Sequence, residues 1–345
     1  MMLAASRPAE HRGQTRDGVR LLVATIDGLA HARFSDLPRF LLPGDLLVVN
    51  TSGTLAAAVE GHRSDGRPVT VHFSTPLDDG TWVAELREAN PDRSRVTDAN
   101  PGETVALPGD ASLTLLCRYP DPAANRLWVA AMTGVSEGGG SVEAFLAVHG
   151  RPITYSYVPD EWPLTAYQTI FSREPGSAEM PSAGRPFTAD LAIDLITSGV
   201  VIAPITLHAG VASLEAGEQP LPERFSVPET TARLVNLTRS AGRRVVAVGT
   251  TVTRALESAA GDDGALLARH GWTDLVLGTG HPARVVSGLI TGWHDPEASH
   301  LALLEAVAGR ALVKAAYAEA DKTGYLGHEF GDSCLLLPPL PGGPR

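Results

Sequence analysis

Cysteine is almost missing from this 345-residue chain: Cys117 and Cys334 are the only two, far apart in sequence. So sparse a set excludes a disulfide framework and a cysteine-rich metal site, and two free thiols in a reducing cytoplasm are the expected state. No run of about 18 uncharged apolar residues occurs, which excludes an ordinary membrane-spanning helix. The opening stretch, Met-Met-Leu-Ala-Ala-Ser-Arg-Pro-Ala-Glu-His, lacks the apolar core of a secretory signal. Cations are outnumbered, with 28 Lys and Arg against 39 Asp and Glu and a formal net charge of −11. A broad nucleic-acid face needs a local cation surplus, so the balance argues mildly against one unless a basic patch is concentrated. Several catalytic signatures are also missing. There is no Gly-x-Gly-x-x-Gly between a strand and a helix, no Walker-type phosphate loop, no metal-spaced Cys/His cluster and no Gly-x-Ser-x-Gly elbow. Gly278-Thr279-Gly280-His281 comes near the first of these, but a strand rather than a helix is read after it. These absences leave a soluble, cytoplasmic protein with no membrane partner and no metal; a monomer is the expected form, although the sequence does not settle the oligomeric state.

What is present is ordinary in bulk, 43% hydrophobic and 19% charged, and long enough for two domains. Leu46–Asn50 reads as a buried strand after the Pro43-Gly44 turn. Between residues 62 and 135 the rhythm shortens. Val69–Phe73, Thr81–Leu86, Glu103–Leu107, Ser112–Cys117 and Arg126–Ala131 are brief alternating runs separated by Pro, Gly, Asp and Asn, the pattern of a small antiparallel barrel. A glycine-rich joint follows at residues 136–141. Beyond it, Thr188 caps a helix to Ile196, Val200–Leu207 is a strand, Pro228 opens a helix ending at Gly242, and Arg243–Val248 is a strand. Thr273–Leu277 and Arg284–Thr291 read as two more strands. Such alternation predicts an α/β fold in which a large, mostly parallel-sheet domain (1–61 and 136–345) carries an inserted small antiparallel β-barrel domain (62–135).

Ligands of such sheets bind beyond the carboxyl ends of strands, and polar groups collect there. His208 ends one strand and can carry protons near neutral pH or be a hydrogen-bonded structural histidine. Gly249 permits a tight turn, Thr250 or Thr251 can cap the next helix, and Arg254 and Glu257 ride on its first turns. Thr291 and His294 end another strand, with Trp293 able to stack on a planar ring. Ser182-Ala183-Gly184 is a small-residue loop allowing close backbone approach, and Tyr167, Gln168 and Arg173 offer donors, although an ordinary polar surface explains them equally well. From these residues alone the ligand and the reaction stay open.

Read in order, the segments resemble the S-adenosylmethionine:tRNA ribosyltransferase-isomerase family of queuosine biosynthesis. The matching pieces are Leu42-Pro43-Gly44-Asp45 through Asn50-Thr51, His149-Gly150-Arg151-Pro152-Ile153, Tyr167-Gln168-Thr169, Pro175-Gly176-Ser177-Ala178 and Ser182-Ala183-Gly184. They continue with Ile205-Thr206-Leu207-His208, Val246-Ala247-Val248-Gly249-Thr250-Thr251, Leu289-Ile290-Thr291, His294-Asp295-Pro296 and Gly331-Asp332. The resemblance implies an α/β domain with an inserted barrel and S-adenosylmethionine as a ribosyl donor. Its sulfonium would acidify the 5′ carbon for a base, with loss of adenine and methionine. The acceptor implied is 7-aminomethyl-7-deazaguanine at the tRNA wobble position, and the product epoxyqueuosine. The roles implied make His208, Glu223 or Glu257 proton carriers, Arg254 a partner for the methionine carboxylate, and Gly249-Thr250-Thr251 a lining for the nucleoside. The chain departs from the family pattern at Arg185-Pro186, Ala209–Leu214, Pro220-Leu221-Pro222 and Leu326–Phe330, losing two motif histidines. A small-molecule acceptor and a catalytically silent binder of an adenosyl ligand or RNA are the alternatives.

Overall fold

The computed structural model describes residues 2–90, 92–135, 140–211, 220–278, 280–294 and 300–340. Most of the glycine-rich joint, Ala212-Ser213-Leu214, Thr279 and Asp295-Pro296 lie outside the described residues.

Leu46–Asn50 and Val245–Val248 sit at the middle of a nine-stranded sheet. Their side chains alternate between two apolar layers. Leu46, Val48, Val245 and Ala247 join a cluster with Val235, Val252, Leu256, Leu304 and Val313. Leu47, Val49, Val246 and Val248 join another with Phe34, Phe187, Leu191 and Leu195. Covered on both faces, such strands need apolar residues at every position, and each fully buried Val or Leu contributes about 1.5–3 kcal/mol. Helices Glu229–Ser240, Thr250–Ala259, His300–Ala308 and Arg310–Lys322 contribute residues to the first layer, and Ala189–Thr197 to the second. Thr188 caps the last of these, its hydroxyl accepting from Leu191 N–H at 3.2 Å.

The sheet is mixed rather than mostly parallel. Its order is Arg269–Thr273, Glu223–Val227, Val201–Leu207, Leu46–Asn50, Val245–Val248, Gly288–Gly292, Ser333–Leu337, Arg20–Thr25, Gly28–Arg33. Four adjacent central strands, Val201–Leu207 to Gly288–Gly292, run parallel. Antiparallel neighbours flank them on both sides. Two expected strands also move. Thr273–Leu277 is not a strand, and the extended segment precedes it at Arg269–Thr273; the Thr273 and Leu275 carbonyls bond the Arg254 guanidinium instead. The strand expected from Arg284 starts only at Gly288, because the N–H groups of Arg284, Val285 and Val286 are held by Glu257.

A closed six-stranded antiparallel barrel is formed by Ala58–Arg63, Pro68–Pro76, Trp82–Glu88, Thr104–Ala106, Ser112–Tyr119 and Leu127–Thr133. Its interior is filled by Val59, Val71, Phe73, Leu86, Leu113 and Trp128 among others, leaving a packed core rather than a channel. The barrel docks near the ends of the parallel strands: Val211 N–H donates to Ser74 Oγ at 3.0 Å, and Trp272 Nε1 to Asp78 Oδ2 at 3.1 Å.

Candidate active site

The four parallel strands all end on one edge of the sheet, which brings Leu207-His208, Asn50, Val248-Gly249 and Thr291-Gly292 into a row. The Ser333–Leu337 and Arg20–Thr25 strands begin at the same edge, since the first pairs antiparallel to Gly288–Gly292 and the second parallel to it. Asn50 is the linchpin of the first half of this row. Its Oδ1 accepts from Ser52 N–H and Leu207 N–H at 3.0 Å each, and its Nδ2 donates to Leu207 carbonyl at 2.8 Å. One buried amide thereby ties the end of one strand to the turn after its neighbour.

That turn delivers Ser52 to His208. Ser52 Oγ lies 2.7 Å from His208 Nδ1 and 2.6 Å from Ser177 Oγ, and Ser177 Oγ accepts from Ala209 N–H at 2.9 Å. Both serines are fully buried. Gly176 is required beside them, because a Cβ there would stand 2.5 Å from His208 Nδ1. Burial, followed by the positive field of Arg224, holds the His208 imidazole below its usual pKa, against the smaller pull of Glu174. His208 is therefore held neutral and oriented in the physiological range.

Glu223 approaches the same loop. Gly210 N–H donates to its Oε1 at 3.3 Å, and Arg254 Nη1 donates to its Oε2. Burial raises the Glu223 carboxyl above its ordinary pKa, with Arg254 and the Gly210 N–H acting in the opposite direction. Arg254 also donates to the carbonyls of Leu275, Leu221 and Thr273 at 3.1, 3.1 and 3.2 Å, so four of its five N–H donors are engaged within the protein. Glu257 is the clearest correction. Both its oxygens are taken by the backbone N–H groups of Arg284, Val285 and Val286, each at 2.9 Å, and it is 5% exposed. It pins the loop before the Gly288–Gly292 strand.

Gly249 itself, at φ 100°, is the N-cap of helix Thr250–Ala259, and no side chain caps that helix. The expected Thr250 or Thr251 cap is not made; Thr251 Oγ1 accepts from Asn50 Nδ2 at 3.4 Å instead. Ala183 of the Ser182-Ala183-Gly184 turn covers this point, its Cβ 3.4 Å from where a Gly249 Cβ would be. Thr291 Oγ1 meets His294 Nε2 at 3.2 Å at the end of the fourth strand. Trp293 is 1% exposed and packs edge-on against Tyr317 and Tyr325, so it is a core residue and offers no stacking face. Gln168 is likewise structural, its side-chain amide pairing with Thr54 N–H at 3.0 Å and Thr54 carbonyl at 2.8 Å. Tyr167 packs its ring on Phe330, with its hydroxyl buried and without a partner among the described residues. Arg173 has an exposed side chain, while its N–H bonds Thr51 carbonyl at 2.8 Å.

The second half of the row is a pocket lined by Ser182, Arg185, Gly292, His328, Glu329 and Ser333, among others. Glu329 carries the strongest electrostatic anomaly there: burial and the nearby Glu179 carboxyl push it up to about 8. Asn50, Ser52, Ser177, Glu179 and Glu329 were not singled out from sequence. The first three fall inside or beside the resemblance blocks, which was the available signal; Glu329 falls where the chain departs from the family pattern. Among the described residues no His/Cys/Asp/Glu group could hold a metal ion, and no helix is long and apolar enough to cross a membrane.

Comparison with known proteins bears on what such an edge does. A family model described as queuosine biosynthesis protein matches residues 2–336. An S-adenosylmethionine:tRNA ribosyltransferase-isomerase from Acidiphilium cryptum is 37% identical over 97% of this chain and 96% of its own length. The corresponding protein of Moorella thermoacetica is 36% identical over 95% and 96%. Among solved structures, S-adenosylmethionine tRNA ribosyltransferase from Thermotoga maritima superposes with a TM-score of 0.51, at 27% identity, covering 97% of this chain and 96% of that one.

Proposed function

The chain belongs to the queuosine biosynthesis protein family, and from that premise we propose that it transfers and isomerises the ribosyl moiety of S-adenosylmethionine onto 7-aminomethyl-7-deazaguanine in tRNA. The product is epoxyqueuosine, with adenine and methionine released. The observation that carries this reading is the His208–Ser52–Ser177 relay at the end of a parallel strand. The reaction needs a base for the proton on the 5′ carbon beside the sulfonium. His208 meets that need: it is neutral because buried, and its Nδ1 is engaged by Ser52, which leaves Nε2 to take the proton. With Nδ1–H donating to Ser52 and Ser52 donating to Ser177, the relay holds the required tautomer.

Glu223 is the complementary group. A carboxyl with a raised pKa beside the Gly210 loop retains a proton long enough to give it to departing adenine. Arg254 orients it and limits how far that pKa climbs. The nucleoside is placed along Gly249-Thr250-Thr251, with the uncapped N–H groups at the helix start receiving the methionine carboxylate. Ser182-Ala183-Gly184 closes over the same point. Localisation in the cytoplasm and action as a single chain go with this reading.

The test is mass spectrometry of tRNA bearing the 7-aminomethyl-7-deazaguanine base after incubation with the protein and S-adenosylmethionine. A mass gain matching the rearranged ribosyl unit, with adenine released in equal amount, is expected. Adenine release with no gain on the RNA moves the acceptor to a small molecule, and no adenine at all removes the enzymatic reading.

A further inference from the structure

The barrel reaches the His208 loop through one irregular strand. Pro68–Pro76 pairs with Trp82–Glu88, but the register shifts between Phe73 and Thr75, so Ser74 is an extra residue with no partner in that ladder. Such a bulge bends its strand and re-aims a side chain, and bulges of this kind recur beside active sites. Phe73 stays in the barrel core, whereas the Ser74 hydroxyl leaves the barrel and accepts from Val211 N–H at 3.0 Å. Ser74 is 1% exposed, so this bond is shielded from water. Further along the same hairpin, Asp78 accepts from Trp272 Nε1 at 3.1 Å and pairs with the Arg224 guanidinium. That contact fixes the hairpin to the Glu223–Val227 and Arg269–Thr273 strands.

At the other end of the Ser74 bond lies the segment that carries the proposed chemistry. From His208 to Val211 each successive N–H group has a different acceptor. His208 N–H bonds Arg224 carbonyl at 3.0 Å, Ala209 N–H the Ser177 hydroxyl at 2.9 Å, Gly210 N–H Glu223 Oε1 at 3.3 Å, and Val211 N–H Ser74 Oγ. The loop thereby holds the imidazole, the serine relay and the Glu223 carboxyl in one fixed relation. Of these acceptors, Ser74 alone comes from the barrel. Gly210 is matched to the contact. A Cβ there would stand 2.7 Å from Ser74 Oγ and 3.1 Å from Thr75 Oγ1, so a larger residue would push the loop and the strand apart.

We propose that Ser74 is a positioning residue for the reaction: through Val211 it fixes the loop that sets His208 against Glu223, which makes the inserted barrel part of the catalytic geometry. This rests on the roles given above to His208 and Glu223. Ser74 acts through the loop backbone, from the end opposite to His208. A buried N–H left without an acceptor is costly, so removing the Ser74 hydroxyl makes the loop shift until Val211 N–H is satisfied elsewhere. The spacing between base and acid shifts with it. A displacement of about 1 Å at a reacting group can cost about a hundredfold in rate. The donor is placed along Gly249-Thr250-Thr251, so the defect falls on the chemical step rather than on donor affinity.

The experiment compares Ser74→Ala with Thr70→Ala in the full-length protein, thermal melts confirming that both fold. Thr70 is a buried hydroxyl on the same barrel strand, but it donates to Glu60 rather than to the loop. The single-turnover rate of adenine release at saturating S-adenosylmethionine is expected to fall about tenfold or more in Ser74→Ala. Donor Kd should stay within about twofold of wild type, and Thr70→Ala should keep both values within about twofold. Gly210→Ala should slow the wild-type protein and add little to Ser74→Ala, where the 2.7 Å obstacle is gone; such non-additivity marks direct coupling. NMR titration of the His208 imidazole gives a readout independent of turnover. A freed loop admits water, so the pKa that burial lowers should rise toward 6.5 in Ser74→Ala and stay put in Thr70→Ala. A folded Ser74→Ala protein with the wild-type rate, equal losses in the two serine and threonine variants, or additive Ser74 and Gly210 losses overturns the proposal. Should the wild-type protein release no adenine, the transferase reading falls and the titration decides alone. A His208 pKa unmoved by Ser74→Ala then overturns the positioning role, and a rise confined to that variant sustains it.

Discussion

Ser52 Oγ stands 2.7 Å from His208 Nδ1 and 2.6 Å from Ser177 Oγ, inside a region from which both serines are shielded completely. Residues separated by 156 positions in sequence thus make one proton-orienting unit, and Asn50 fixes its geometry by bonding both Ser52 N–H and Leu207 N–H.

Removing the hydroxyl of that unit should slow chemistry without unfolding the protein. Ser52→Ala frees Nδ1 and releases the ring tautomer, so the single-turnover rate constant for adenine release should fall about ten- to a hundredfold, the range of a hydrogen bond to a group that becomes charged. Single-turnover kinetics at saturating S-adenosylmethionine check this, and a change below about twofold would remove the relay from the mechanism.

Gly176→Ala probes the same ring sterically. The new Cβ would stand 2.5 Å from Nδ1 and 2.6 Å from Cε1, so the imidazole must move. Misplacing a reacting group by about 1 Å can cost about a hundredfold in rate. The expected result is a large loss in kcat with a melting temperature close to wild type, read from kinetics and calorimetry on one preparation.

Glu257→Ala should separate structure from chemistry in the other direction. It strips three backbone N–H groups of their acceptor and should cost about 2–4 kcal/mol of stability. Urea denaturation measures that loss. The folded fraction should keep kcat within about twofold, in contrast to the His208 variants.

The pH profile follows from His208. In the proposed role it works only when neutral, and burial lowers its pKa from an ordinary value of 6.5. The acid limb of kcat/KM should therefore fall below pH 6.5, since that profile reports the free enzyme. A limb centred well above that point would assign the base to another group.

Stability should depend on pH through Glu329. Its folded pKa of about 8 lies above the ordinary 4.5, so between those values the folded state holds a proton the unfolded state has lost. Stability then declines as pH rises through this window. Urea midpoints measured across it should show the decline in wild type, and Glu329→Gln should flatten it.

Much of this architecture was legible in sequence, and the exceptions have physical causes. Leu46–Asn50, Val201–Leu207 and Val245–Val248 are apolar runs because both their faces are buried. Of the barrel strands, Ala58–Arg63 and Thr104–Ala106 alternate between core and solvent, whereas Pro68–Pro76 and Trp82–Glu88 are buried almost throughout. The antiparallel strands Glu223–Val227 and Arg269–Thr273 carry charged and polar residues at the sheet margin, so no apolar run announces them, and the sheet looked more parallel than it is. Helix-borne Arg254 and Glu257 were visible as charges, but their partners lie in margin strands and loops distant in sequence, whose placement no local pattern reports. Ser52, Ser177 and His208 come from three separate segments, and only tertiary structure shows that they meet. Glu329 is hidden for a further reason: its raised pKa comes from burial beside Glu179, which composition cannot register.

The central claim is that His208 removes the proton from the 5′ carbon of S-adenosylmethionine. Donor labelled with deuterium at that carbon, incubated with the protein and acceptor tRNA, tests it directly. Mass spectrometry of the modified nucleoside should show loss of one deuterium with wild-type protein, and His208→Ala should form product at least about a thousandfold more slowly, within the range that general-base catalysis contributes. A folded His208→Ala protein that strips the deuterium at the wild-type rate would contradict the account.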